Sequence, residues 1–269
     1  VRPGPGHGGG PAKPPGRGCR VTAPASVFVA LPNRGTVAAG TAMALLRTGA
    51  TPIHSVTPRS TSLLTLTFNA LWCAALNQSP RPSHFVMLHD DVIPCDPGWV
   101  DVLVAELGRS RADVLSACVP IKDDRGLTST ALMNPATGEM VRLTVREALG
   151  LPRTFDAAAA GRPGWAVLPN TGLWACRFAG EAWVEKVCFT ARDRVFRDPA
   201  DGQWKAQCYS EDWDFGAALH AMGRRACATT AVRAVHRGEF EYPNFAPWGA
   251  LAADDQVNHW RPPQREYPR

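Results

Sequence analysis

The chain has 269 residues, 45% hydrophobic and 20% charged, with 29 Lys and Arg against 24 Asp and Glu for a formal net charge of +5. That length can bury a substantial core, and the composition is that of a globular protein. No apolar run approaches the ~20 residues that span a bilayer, and the charge excess is too small to diagnose nucleic-acid binding.

Residues 1–22 form a basic tail. The first twenty hold seven Gly and five Pro with Arg2, Lys13, Arg17 and Arg20 and no acid, a composition that buries no core and predicts disorder. The start lacks the apolar segment of a secretory leader, so the expectation is a soluble, cytoplasmic protein. The eight Cys form no C-x-x-C pair and no zinc-spaced cluster, and are read as reduced thiols.

One domain is expected over 23–240. Ala25 to Leu31 is an apolar run of the length of a buried parallel strand. A loop at Pro32-Asn33-Arg34-Gly35 follows, then a helix capped by Thr36 and ended by Gly49. Ile53 to Val56 is a second strand. Ser60 or Thr61 caps a helix whose core stripe is Leu64, Phe68, Leu71 and Ala75. Phe85 to Leu88 is a strand running into His89-Asp90-Asp91, Trp99 to Leu107 a helix, and Asp113 to Pro120 a strand. This alternation predicts an α/β fold with a mostly parallel sheet and helices on both faces, in which ligands sit at the carboxyl ends of the strands.

Periodicity weakens over 121–165, where Gly126, Pro135, Gly138, Gly150, Pro152, Gly161 and Pro163 punctuate the chain, apart from a short helix near Val145 to Leu149. It reads as an irregular acceptor or lid loop. A strand resumes over Asn170 to Arg177, Glu181 to Val187 is helical, and Glu211 to Met222 is a helix closed by Gly223. Cys227 to Val235 alternates as one late strand that ends at His236. Residues 241–269 are an aromatic, Pro-rich extension.

Three groups carry chemistry: His89-Asp90-Asp91, Glu211-Asp212 and His236. Adjacent carboxylates at the tip of a buried strand are costly unless a cation meets them. Acids in a first helical turn complement the helix dipole and can also accept a proton from a hydroxyl.

Leu88-His89-Asp90-Asp91-Val92-Ile93-Pro94, followed by Gly98-Trp99, resembles the D-x-D strand end of GT-A fold nucleotide-sugar glycosyltransferases of the family-2 type. Thr171-Gly172-Leu173-Trp174, Ser210-Glu211-Asp212-Trp213 and Val235-His236 stand where that family has its later glycine strand, its Glu-Asp motif and its histidine. His89 replaces the first Asp of the motif.

The resemblance implies a GT-A, Rossmann-like sheet and transfer of a sugar from a nucleoside diphosphate, most often UDP, to an acceptor hydroxyl, inverting in preference to retaining. It implies a divalent cofactor, Mn²⁺ or Mg²⁺, on Asp91 and His236. Asp212 would be the base, with Glu211 organising the acceptor or its loop. Pro32, Asn33, Arg34, Arg59, His89 and Asp90 would hold the donor, and Gly172, Trp174 and Trp213 the acceptor or its sugar. Trp165 and Trp248 are further stacking candidates. The acceptor is left open among a saccharide, a lipid-linked sugar, a protein side chain, a metabolite and a hydroxylated DNA base, and so is the oligomeric state. Competing readings are a metal-dependent nucleotidyltransferase or phosphohydrolase, weakened by the lack of a G-x-x-x-x-G-K loop, and a non-catalytic sugar- or nucleic-acid-binding module.

Overall fold

A computed structural model describes residues 25–249 and the backbone of Val257–Asn258. The basic tail and most of the C-terminal extension, Trp260 included, lie outside the described residues.

In chain order the elements are β1 (Val27–Pro32), α1 (Ala39–Leu45), β2 (Ile53–Arg59), α2 (Leu64–Leu76), β3 (His84–Leu88), β4 (Val92–Pro94), α3 (Trp99–Ser110) and β5 (Val114–Ala117). Then come β6 (Leu127–Met133), β7 (Met140–Thr144), α4 (Val145–Gly150), β8 (Thr154–Phe155), β9 (Ala166–Leu168) and β10 (Leu173–Arg177). A 3₁₀ turn (Ala182–Lys186) precedes β11 (Arg192–Arg197), β12 (Trp204–Tyr209), α5 (Glu211–Ala221), β13 (Ala226–Thr229), β14 (Ala234–Arg237), β15 (Glu241–Pro243) and β16 (Val257–Asn258).

The central sheet has seven strands in the order β2-β1-β3-β10-β5-β13-β8. It is mixed. β1 pairs in parallel with β2 and β3, and β13 with β5, whereas β10 runs antiparallel between β3 and β5 and β8 antiparallel beside β13. Five of the seven strands therefore point one way, and the α/β class with a mostly parallel sheet and helices on both faces stands. β1 is buried along its whole length, as a central strand covered on both faces must be.

One face packs on α3 through Trp99, Val100, Leu103 and Leu107. The other carries an aromatic cluster built on α2, with Phe68 and Trp72 against Phe28, Phe85, Trp174, Phe178, Phe189 and Phe215. Leu64, expected in the α2 stripe, is exposed, and Trp72 takes a core place instead. The Trp72 indole donates to the Val184 carbonyl at 2.8 Å, which satisfies its one polar group.

Local corrections follow from the same physics. Helix α1 begins at Ala39 without a side-chain cap, so Thr36 is not its cap, and α2 begins at Leu64, likewise uncapped by a side chain. The stretch Glu181 to Val187 is a 3₁₀ turn. The late alternating strand is two strands: β13 lies between β5 and β8 in the central sheet, and β14 joins β4 and β15 in another.

The segment 121–165 is not an irregular loop. β6 and β7 form an antiparallel pair within a four-stranded sheet β16-β7-β6-β9, and α4 opens on a Thr144–Glu147 capping box. β6 is buried on both faces, so it lacks the alternation that marks a half-buried strand. Packed structure also continues past 240. β15 pairs with β14, and buried Asn244 ties it down, donating to the carbonyls of Cys118 and Val232 and accepting from the Ala234 N–H. Among the described residues no helix is long and apolar enough to cross a membrane.

Candidate functional site

The carboxyl ends of β1 and β3 open into a cleft of about 500 Å³, lined by Pro32, Asn33, Arg34, Ser60 to Ser62, Leu64, Thr67, His89, Asp90 and Asp91. Five of the six residues assigned to the donor therefore meet in one place, with Asp91 beside them. Arg59 is the exception. It stands opposite Pro32 in the β1–β2 register and its carbonyl accepts from the Asn33 N–H, but its exposed side chain is not part of the lining. The Asn33 amide folds the loop on itself, donating to the Leu31 carbonyl and accepting from the Gly35 N–H. The Arg34 N–H reaches Asp90 Oδ2 at 3.4 Å, and Thr41 donates to the Asp90 carbonyl at 2.7 Å.

Asp91 is where the charged groups converge. Lys122, on the chain leaving β5, pairs with its Oδ2 at 2.5 Å. His236 Nε2 faces its Oδ1 at 3.6 Å. The antiparallel pairing of β4 with β14 sets His236 opposite Val92, and the Arg237 N–H donates to the Asp91 carbonyl. Burial alone would push the Asp91 carboxyl up; His236 and Lys122 outweigh it and hold the group well below the usual carboxylate range. Asp90 is shifted the other way, by burial and by the charge of Asp91. His89 packs on the Phe68 ring, and burial lowers its pKa to about 4, so it is neutral at physiological pH.

A divalent ion suits Asp91 and His236. The His236 Nδ1–H is committed to the Pro120 carbonyl at 2.7 Å, which fixes the ring with Nε2 toward Asp91. Asp91 Oδ1 and His89 Nε2 are both buried without a hydrogen-bond partner. His236 Nε2 and Asp91 Oδ1 stand 3.6 Å apart, wider than a hydrogen bond, a gap that a cation held by both would fill. Among the described residues no group of three or more His, Cys, Asp or Glu is placed to hold a metal. Ligand oxygens would have to complete the shell.

The second acid pair stands at the start of α5 and does not line the cleft. A sharp corner links the two places. The His89 N–H donates to the Gly172 carbonyl at 2.8 Å, and next door the Thr171 hydroxyl reaches Glu211 at 3.5 Å. Asp212 Oδ1 accepts from the Ser210 hydroxyl and from the Trp213 N–H at 2.8 Å. Burial raises both carboxyls. For Glu211 the charge of Asp212 adds to it and the value reaches about 7, whereas Ser210, Arg142 and the Trp213 N–H counteract the rise at Asp212. The counteracting hydrogen bonds and the Arg142 charge fall on Asp212, which favours it as the anionic member of the pair.

A stability test follows. Folded Glu211 holds a proton that the unfolded chain releases near 4.5, so its contribution is intact below that value and falls as pH rises toward about 7. Glu211→Gln removes the penalty. The expected gain at pH 8 is on the order of 1–3 kcal/mol, or a Tm rise of roughly 2–10 °C. Scanning calorimetry at pH 4 should show no gain, and a gain there would overturn the assignment.

The acceptor residues need correction. Trp174 is fully buried in the aromatic cluster, stacked on Trp72 with centroids 5.9 Å apart, and touches no ligand space. Trp174→Ala is expected to cost about 3–5 kcal/mol and lower Tm by roughly 6–20 °C by thermal denaturation. Gly172 is buried too. A Cβ there would stand 3.0 Å from Asn170 Oδ1 and 3.2 Å from Val92, so its role is the close approach of the corner to β4. Trp213 is 3% exposed and lies under the Arg142 guanidinium, 4.4 Å above its ring. Trp165 lines a separate cleft with His220, Arg224 and Arg225. Trp248 packs on Tyr242.

Sequence reasoning missed Lys122 and Arg142. Both belong to the segment read as irregular, and only the β6–β7 pairing shows that Arg142 faces α5. It also passed over Asp214, two residues beyond Asp212. Asp214 is buried and accepts from Thr190 and Arg192, which anchors the β11–β12 ribbon to the first turn of α5.

No protein-family model matches the chain, and no curated protein does. A solved structure, the crystal structure of A197 from STIV, aligns with 91% of this chain and 100% of its own at 13% identity, with a TM-score of 0.46. A likeness of that degree leaves the chemistry to be argued from the residues themselves.

Proposed function

We propose that the protein is a metal-dependent glycosyltransferase of GT-A type, taking a nucleoside diphosphate sugar in the β1–β3 cleft and passing the sugar to an acceptor hydroxyl near Glu211 and Asp212. The observation that carries the proposal is the Asp91–His236 pair, connected to the Glu211–Asp212 pair through the Thr171–Gly172 turn. Asp91 offers a carboxylate oxygen buried without a hydrogen-bond partner, His236 is a ring fixed through Nδ1, and Thr171, next to the Gly172 that accepts from His89, reaches the raised Glu211–Asp212 pair.

Asp91 and His236 would hold Mn²⁺ or Mg²⁺, which supplies Lewis-acid stabilisation of the diphosphate leaving group. The chain's own residues do the rest. The loop at Asn33 and Arg34 and the hydroxyls of Ser60 to Ser62 line the space for the nucleotide. Neutral His89 offers a ring nitrogen to it without adding charge. Asp212 is oriented through Oδ1 by Ser210 and the Trp213 N–H, which leaves Oδ2 to take the acceptor proton. Glu211, whose carboxyl is raised to about 7, would donate a hydrogen bond to the acceptor in its protonated form.

The test is release of UDP from UDP-sugars with Mn²⁺, with and without EDTA. Chelator-sensitive release supports the reading. Binding of no nucleotide sugar, by thermal shift across a donor panel, sinks it. A nucleotidyltransferase or phosphohydrolase would instead release pyrophosphate or phosphate from nucleoside triphosphates.

A further inference from the structure

Asp91 already has a cation in the described structure, and that cation belongs to the protein. Lys122 Nζ sits on Oδ2 at 2.5 Å, and its placement is built. Its stem lies along Gly238, where an added Cβ would stand 3.0 Å from Lys122 Cδ. The Gly238 N–H is fixed by the Phe240 carbonyl. One residue away Arg237 donates to the Asp91 carbonyl, and two away His236 faces Oδ1. The β14 strand end thus carries both the imidazole that faces one oxygen of Asp91 and the surface that aims Lys122 at the other.

We propose that Lys122 is the internal counter-ion of Asp91, that it competes with a divalent ion for this carboxylate, and that the metal therefore binds tightly only together with a nucleoside diphosphate. This rests on the glycosyltransferase reading and adds an order of assembly to it. Without nucleotide a divalent ion meets one carboxylate whose charge is already answered and one imidazole, and like charge from Lys122 opposes it. A diphosphate brings two kinds of help. Its oxygens complete the metal's shell, and its charge gives the Lys122 ammonium a second anion, so that Asp91 is shared with the metal at no loss to the lysine. Such mutual dependence is a coupling free energy, reciprocal between the two ligands.

The experiment measures Mn²⁺ affinity by electron paramagnetic resonance, with Mn²⁺ alone and with Mn²⁺ plus UDP, GDP, ADP or CDP, on the full chain. The wild type is expected to bind Mn²⁺ weakly alone and roughly 5- to 150-fold more tightly with at least one nucleotide. Lys122→Gln should tighten binding of Mn²⁺ alone by about tenfold and shrink the synergy, and Gly238→Ala, which displaces the lysine stem, should shift both in the same direction. Lys122→Arg, which keeps the charge, should resemble the wild type. Lys122 is a third exposed, so the Gln variant is expected to fold. Nucleotide and Mn²⁺ binding with unchanged affinities in Lys122→Gln would overturn the inference and leave the glycosyltransferase reading in place. No nucleotide binding by any variant would overturn that reading itself.

Discussion

Replacing Asp212 by Asn is expected to lower sugar transfer by about 10²–10⁴-fold while leaving UDP affinity near the wild-type value. The change is nearly isosteric, and the amide oxygen can keep the two hydrogen bonds that Ser210 and the Trp213 N–H make to Oδ1. What it removes is the charge. An amide cannot take the acceptor proton, and it also withdraws the anion that raises Glu211. Glu211 is then expected to titrate lower, so residual activity should show a pH profile displaced toward acid. Because the acid pair does not line the nucleotide cleft, a large loss of UDP binding would mean that Asp212 positions the donor instead. Transfer near the wild-type rate would exclude it as the base. Isothermal titration with UDP and an initial-rate pH series separate these outcomes.

The strand tips were legible in the sequence because their physics is local. The apolar runs of β1 and β3 are buried on both sides, so they read as continuous hydrophobic segments, and the loops that follow them carry the polar groups of the cleft. The acids of α5 were legible as a helix start. The strand order was not. Local pattern assigns β10 a strand but cannot tell that it runs antiparallel between β3 and β5, and that placement is what brings Gly172 against His89. Trp174 shows the cost of reading a residue by type. An indole is equally suited to stacking on a sugar and to filling a core, and burial decides for the core. Lys122 lay beyond the reach of local pattern because its partner is 31 residues away and its aim depends on β14, more than a hundred residues later.

Asp91→Asn is the second large effect expected, a loss of roughly 10²–10³-fold in kcat, with the remaining activity no longer responsive to EDTA or Mn²⁺. The reason lies in how many groups use this one carboxylate. Lys122 and His236 both address it, and the orphaned Oδ1 is the anionic oxygen offered to a metal. An amide in its place keeps the shape and loses the charge, so neither a divalent ion nor the ammonium has its counter-ion. The fold should tolerate the change. The pair with Lys122 is a third exposed on each side, a setting in which an ion pair contributes only about 0–1 kcal/mol, and β4 is held to β14 by backbone bonds that the substitution does not touch. A Tm close to wild type together with lost Mn²⁺ dependence is therefore the expected signature, measured by thermal denaturation and by rates across a Mn²⁺ series. A variant that keeps full, chelator-sensitive activity would move the metal elsewhere and, with it, the meaning of the His89-Asp90-Asp91 tip.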